Sequence, residues 1–405
     1  MRQLEQIKYW LANRRAFVLA SEARWTLQQC VRELDQRAEA RAVVRLKTDR
    51  PRRGRILLSY MIQPFLGLDA VQSNSHTRYA ESLQMARTLL DLGYDVDVIS
   101  WRNDLFRPAH PYAAMIDVRH NLQRLAPLVG PDCIKVFHID TAHILFHNAA
   151  EAGRLLALQQ RRGVSLRPRR FEWPNLGIEH ADCGTTLGNE FTIATYRYAR
   201  KPIHRLPIPS AFRHPWIASK DWDRCRSHFV FFSSGGLVHK GLDLALEAFA
   251  GLPDCHLTVC APIDAEPDFK AAYARELYDL PNIHTVGWVD IGKPQFVEIA
   301  TRCAAVLSPS CSEGGGGAVV TCLHAGLVPI VSAGSSVDIG HFGVPLKECS
   351  VPHIRETVRA VTEMSPHEVE VRSRQAWEYA SANHTPERYA QRYRDVMTAI
   401  LDGRA

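Results

Sequence analysis

The ten cysteines of this 405-residue chain are scattered, and no two stand in a CxxC pair. That pattern excludes a zinc ribbon and a disulfide framework, and predicts reduced thiols. The nearest pair, Cys255 and Cys260, falls along an apolar stretch that reads as a strand. No apolar run reaches the roughly 18 residues needed to span a bilayer. The opening residues MRQLEQIKYW are polar and amphipathic, unlike a secretory leader. His, Cys, Asp and Glu nowhere cluster at metal-ligand spacing, so no metal is expected. These absences together predict a cytoplasmic location.

Charge is unevenly placed. The chain carries a formal +6, yet residues 1–55 hold 14 Lys/Arg against 6 Asp/Glu, which leaves the remainder slightly acidic. A nucleic-acid partner is therefore not expected. Leu4, Ile7, Leu11, Val18 and Trp25, then Leu27, Val31 and Leu34, repeat near helical spacing with arginines between. Residues 1–47 thus read as two basic amphipathic helices. They would either lie peripherally on the inner face of an anionic membrane or pack as an arm on the body or on a second copy. The interrupted stripe favours the arm. Residues 49–54, DRPRRG, read as a linker, so residues 1–54 form an extension with its linker.

What the chain does have is one unusual stretch, LSPSCSEGGGGAVVTCLHAGLVPIVS, from Leu307 to Ser332. It reads as a buried parallel strand, an acid at Glu313, four glycines, a helix ending at Gly326, and a further strand. Four consecutive glycines cost chain entropy and imply positive φ or close approach by another group. Before a helix start that group is usually an anion, drawn by free N–H groups and the helix dipole. The competing reading is a flexible loop without a ligand.

The rest of the body alternates strands and helices. Ile56–Ile62, a helix bearing Ala80, Leu83, Ala86 and Leu90, and Asp95–Ser100 form a βαβ unit, which predicts a parallel doubly wound sheet. Asp95 and Asp97 share one strand face and read as a solvated edge. Ile134–Phe137 is a further strand, after which His138 and Asp140 would stand where α/β sheets present ligands, the competing reading of His138 being a core histidine. Arg161, Arg162, Arg167, Arg169 and Arg170 read as a solvated surface loop, the alternative being contact with an anionic acceptor. Ile203–Pro209 is a proline-rich exit. The first domain therefore spans residues 55–210 and a second spans 211–385. In the second, strands at His228–Phe232, Leu257–Ala261, Ile283–Val286 and Ala304–Leu307 repeat the alternation. Ser233-Ser234-Gly235-Gly236 bends the chain tightly, and Lys240 follows as a point-charge partner for phosphate.

The order VFFSSGGLVHKGLDLALEAF, NIHTVGWV and LSPSCSEGGGGAVVTCLHAGLVPIVS resembles the C-terminal half of retaining glycosyltransferases of family 4, which have the GT-B fold. The resemblance covers about residues 55–400 and is most specific over 229–345. It implies an α/β chain with two doubly wound Rossmann-like domains facing a cleft, and transfer of a hexose-type sugar from a nucleotide-diphosphate sugar to a glycan, lipid-linked or other hydroxyl acceptor. It implies no cofactor beyond that co-substrate and a place in polysaccharide biosynthesis. Glu313 matches the glutamate that contacts the donor sugar, and His138 the histidine that faces it; these are the catalytic candidates. Lys240 matches a diphosphate lysine, which Gly235, Gly236 and Gly314, Gly315, Gly316 and Gly317 would assist. Gly236 stands where an arginine is expected, one residue short in spacing. The second glutamate, which holds the ribose, falls on Thr321; Val286 and Trp288 would complete the nucleoside side. Asn74, Ser75 and His76 replace the usual N-terminal glycine loop and, with Asp140, would face sugar or acceptor. Residues 386–405 resemble the C-terminal helix that packs back on the first domain.

Two other function classes compete. One is a different enzyme on this fold, an epimerase or phosphorylase, which would need further acid–base carboxylates or a cofactor lysine. The other is a non-catalytic sugar-binding derivative, favoured by the missing arginine and second glutamate.

Overall fold

The computed structural model describes residues 41–67, 77–210 and 212–403. The first sheet has seven strands: β1 (Val43–Leu46), β2 (Gly54–Tyr60), β3 (Tyr94–Ser100), β4 (Ala114–Asp117), β5 (Ile134–Ile139), β6 (Cys183–Thr186) and β7 (Ile203–Arg205). Their order is β1-β3-β2-β4-β5-β6-β7, parallel except for β1. The second sheet has six: β8 (His228–Phe232), β9 (His256–Cys260), β10 (Ile283–Thr285), β11 (Ala305–Ser308), β12 (Val328–Ser332) and β13 (Val344–Leu346). Its order is β10-β9-β8-β11-β12-β13, all parallel. The chain is thus α/β with two Rossmann-like domains.

Strand alternation divides each core into two layers. In β2, Ile56 and Leu58 pack under α1 (Thr77–Asp91), whereas Leu57 joins Met115, Leu122 and Leu125 on the opposite face. In β8, Phe229 and Phe231 face one layer and Val230 the other. Both sheets are covered on both sides, which is why their strands read as near-continuous apolar runs.

Residues 1–40 of the basic extension lie outside the described residues. Its final part departs from the sequence reading: Val43–Leu46 is not helix but an edge strand antiparallel to β3. The first sheet therefore begins before the 54/55 boundary. VVRL is β-branched and apolar, and the edge of β3 offers unpaired backbone groups that a neighbouring strand satisfies. Asp95 and Asp97 are not solvated either. Arg52 lies 2.9 Å from Asp95, while Arg55 (3.0 Å) and the Tyr112 hydroxyl (2.7 Å) bind Asp97.

α2 (Ile144–Arg162) belongs to the first domain by sequence but seats Leu158 in the second core. The arginine run that follows is interfacial rather than solvated. Arg161 pairs with Asp243 (2.6 Å) and Glu247 (3.0 Å), Arg162 with Glu276 (2.8 Å) and Arg169 with Asp268 (2.5 Å). The last helix, Pro386–Leu401, returns Tyr389, Tyr393, Val396, Met397 and Ile400 to the first core. Ion pairs and core packing therefore tie the two domains together at two places distant in sequence.

Candidate functional site

In each sheet one strand has neighbours leading away in opposite chain directions, and α/β folds bind ligands outside the carboxyl ends of such strands. In the second sheet that strand is β8, between β9 and β11. The turn after β8 and the glycine loop after β11 lie at this point. They line one cleft, with Ser233, Ser234, Lys240, Glu313, Gly315, Gly316, Gly317 and Thr321 on the second domain's side and Arg78 and Arg170 on the first's.

Three glycines of the loop have separate reasons. A Cβ on Gly314 would lie 2.2 Å from the Asp140 carbonyl carbon and the Thr141 nitrogen, so this residue is where the two domains touch backbone to backbone. It does not line the cleft, which corrects its assignment to the diphosphate set. Gly315 has φ +147°, and a Cβ on Gly316 would lie 2.3 Å from Val337 Cγ2. Gly316 precedes α3 (Gly317–His324), whose first turn has no side-chain cap and opens on the cleft. The Gly317 N–H donates to the Gly315 carbonyl at 3.1 Å, and the following N–H groups of the first turn form an anion-attracting end.

Glu313 is ion-paired with Lys240 and accepts a 2.5 Å hydrogen bond from the Ser310 hydroxyl. Burial alone would raise its pKa, but Lys240, His239 and Arg170 outweigh that and hold the carboxyl down at about 2. Lys240 is shifted downward as well, first by burial and then by Arg170 and Arg78, against the pull of Glu313. Both partners thus hold their protons less tightly than usual. The causes differ: burial leads for Lys240, whereas the neighbouring cations keep Glu313 ionised, and Arg170 acting on both makes the cleft attractive to an anion.

The turn at Gly235 and Gly236 does something other than expected. The N–H groups of Gly236 (2.5 Å) and Leu237 (3.2 Å) donate to the buried Glu266 carboxylate. They are therefore engaged, and neither glycine lines the cleft. Gly236 has φ +88°, and a Cβ there would lie 2.4 Å from Arg170 Cγ. Ser233 and Ser234 line the cleft instead, and the Ser233 hydroxyl is buried without a partner among the described residues.

His138 is corrected outright. β5 runs on to Ile139, so His138 is a strand residue and not a loop residue beyond the strand. It is 1% exposed, with Nδ1 2.8 Å from the Thr185 hydroxyl, Nε2 3.0 Å from Glu81 Oε1, and its ring edge-on to Tyr60. It is a core residue of the first domain and does not reach the cleft.

Asp140 is also held structurally. Arg119 (2.7 Å) and Arg78 (3.1 Å) both pair with it. Burial would raise its pKa, but the two guanidinium groups outweigh this and keep it below the usual range. On the nucleoside side, Trp288 is 60% exposed at the cleft, whereas Val286 stands outside it. Thr321 lines the cleft, but its hydroxyl donates to the Gly317 carbonyl at 3.0 Å within its own helix. Asn74, Ser75 and His76 lie outside the described residues.

Sequence reasoning missed Arg78, Arg170, Ser233 and the capping role of Glu266. Arg170 sits in a run in which Arg161, Arg162 and Arg169 form interface ion pairs, and nothing in its local pattern distinguishes it. Among the described residues no group of three His, Cys, Asp or Glu is arranged to hold a metal ion, and no helix is long and apolar enough to cross a membrane.

No protein-family model matches the chain, and no curated protein matches it. Solved structures do. Sucrose-phosphate synthase from Thermosynechococcus elongatus aligns with TM-score 0.58 and 14% identity, over 86% of this chain and 100% of that one. An α,α-trehalose-phosphate synthase (UDP-forming) from Burkholderia vietnamiensis aligns with TM-score 0.56 and 9% identity, over 87% and 97%. Anabaena HepE, solved with UDP and glucose, aligns with TM-score 0.52 and 13% identity, over 85% and 99%. At these identities the likeness establishes architecture: the chain has the GT-B-type fold, two Rossmann-like domains meeting at a cleft.

Proposed function

We propose that the chain is a glycosyltransferase that takes a sugar from a nucleotide-diphosphate donor and passes it, with retention at the anomeric carbon, to a hydroxyl of a glycan or lipid-linked acceptor. The observation that carries this reading is one cleft, at the switch point of the second sheet, into which Lys240, the open first turn of α3 and Glu313 all face. The fold neighbours add weight: one was solved with UDP-glucose, and another is named as UDP-forming.

The chemistry needs a stabilised diphosphate leaving group. Fixed N–H dipoles and cations supply that stabilisation without reorganising during reaction. Lys240 would shift from Glu313 to the phosphates when the donor binds, and Glu313 would then face the developing positive charge on the sugar. Trp288 offers an exposed ring for the base. With cations already present, this reading needs no divalent ion.

UDP, ADP and GDP are the probes. Lys240→Ala is expected to weaken binding of the preferred diphosphate by about 1.5–3 kcal/mol, the worth of a hydrogen bond to a charged group. Calorimetry showing unchanged affinity would remove Lys240 from the site. Hydrolysis of a panel of nucleotide sugars is expected to proceed in excess chelator. Activity that vanishes there and returns with magnesium or manganese would overturn the metal-free reading.

A further inference from the structure

We propose that Arg170, carried by the first domain, supplies a cation to the donor's diphosphate bound on the second domain, so that the phosphate site is built by both domains together. This inference rests on the nucleotide-sugar reading above.

The argument starts from an imbalance. Within the same run, Arg161, Arg162 and Arg169 each have a carboxylate partner across the interface. Arg78 and Arg119 share Asp140, and Lys240 has Glu313. Among the described residues Arg170, which lines the cleft, has no ion pair, and its buried Nε has no hydrogen-bond partner. A buried guanidinium donor left unsatisfied is costly. An anion in the cleft would remove that cost.

Its position is held from behind. The Glu151 carboxylate, 1% exposed on α2, accepts the backbone N–H of Arg169 at 2.7 Å and of Arg170 at 3.0 Å. The Arg170 carbonyl accepts from His147 Nε2 at 2.8 Å. Burial pushes the His147 pKa down to about 4, so near neutral pH the ring is uncharged and adds no competing cation. From this anchored backbone the Arg170 stem crosses to the second domain and lies over Gly236, where any Cβ would stand 2.4 Å from Cγ and 2.8 Å from Cδ. The missing side chain at 236 makes the room that the arginine occupies. Its planar fork matches a phosphate in a way a lysine does not.

The experiment is UDP titration by calorimetry of the full chain and its variants, with UMP as the comparison. Arg170→Gln keeps the backbone hydrogen bonds and is expected to weaken UDP about 10- to 100-fold, and UMP less. Arg170→Lys should recover part of the loss, because charge returns without the fork. Arg169→Gln, which breaks only the pair with Asp268, should stay within about threefold of the parent, the small worth of a partly exposed pair. If Arg170→Gln binds UDP as the parent does while Lys240→Ala loses it, the nucleotide site stands and Arg170 is not part of it. If the parent chain binds none of UDP, ADP and GDP, both readings fall. Should Arg170→Gln not fold, Arg170→Lys decides: weakened UDP binding supports the proposal, and parental affinity overturns it.

Discussion

Replacing Glu313 by glutamine is expected to lower sugar transfer about 100-fold or more, the scale of losing one preorganised electrostatic contact. The substitution preserves size and the hydrogen bond from Ser310, and removes the charge that faces the reacting sugar in our reading. UDP affinity should be retained, because Lys240 no longer has to leave a carboxylate to reach phosphate. Single-turnover rates and calorimetry on one preparation separate the two effects. Turnover within a few-fold of the parent would show that the carboxylate has no transition-state role. Collapsed UDP affinity with intact turnover would instead make Glu313 a nucleotide contact. The same substitution has a pH signature. The folded-state pKa of about 2 lies below the ordinary 4.5, so the charged carboxylate stabilises the fold fully above pH about 4.5 and loses that contribution as pH falls towards 2. The stability gap between parent and Glu313→Gln should therefore close across that acid window and stay constant near neutrality.

The second large effect is structural and lies in the first domain. Glu81, on α1, is fully buried. It accepts from the Tyr60 hydroxyl at 2.9 Å and the Tyr389 hydroxyl at 3.3 Å, and sits 3.0 Å from His138 Nε2. Tyr389 comes from the last helix, so this carboxylate joins the C-terminal segment to the first sheet. Glu81→Leu leaves two buried hydroxyls without an acceptor and removes the carboxylate beside His138. Removing one member of a buried charged network costs about 3–5 kcal/mol, which for a domain of this size lowers the thermal midpoint by roughly 10 °C. His138→Ala should act in the same direction, lowering stability while leaving the turnover of the folded fraction near the parent's. A turnover loss in His138→Ala with no change in midpoint would return His138 to the active site. Circular dichroism melts and turnover per folded molecule discriminate the two outcomes.

Much of the architecture was legible because it is carried by local pattern. Apolar runs ending in Ser, Gly or Pro located β8 and β11 to within a residue. Parallel order followed from strand–helix–strand alternation. Short strands with weak signals, Ala114–Asp117 and Cys183–Thr186, escaped because four residues carry little periodicity. β1 escaped because a strong helical stripe upstream was carried too far along the chain. Misplacing the end of β5 by two residues was enough to turn the core residue His138 into a candidate catalyst, since alternation sends neighbouring strand residues to opposite faces.

Sequence by itself determined the α/β class, the two-domain plan, and the coincidence of Glu313, a glycine loop and a helix start, because those depend on the order of residues along one strand–loop–helix unit. Only the tertiary structure decided how that unit is used. It showed Glu313 held by Lys240, Gly314 pressed on the Asp140–Thr141 peptide, and the Gly236 turn occupied by Glu266 and overlaid by Arg170. Each of these contacts joins residues separated by 30 or more positions. No local propensity encodes such a pairing. It arises from where two sheets place the ends of their strands, and there the charge and shape of the cleft are set by both domains together.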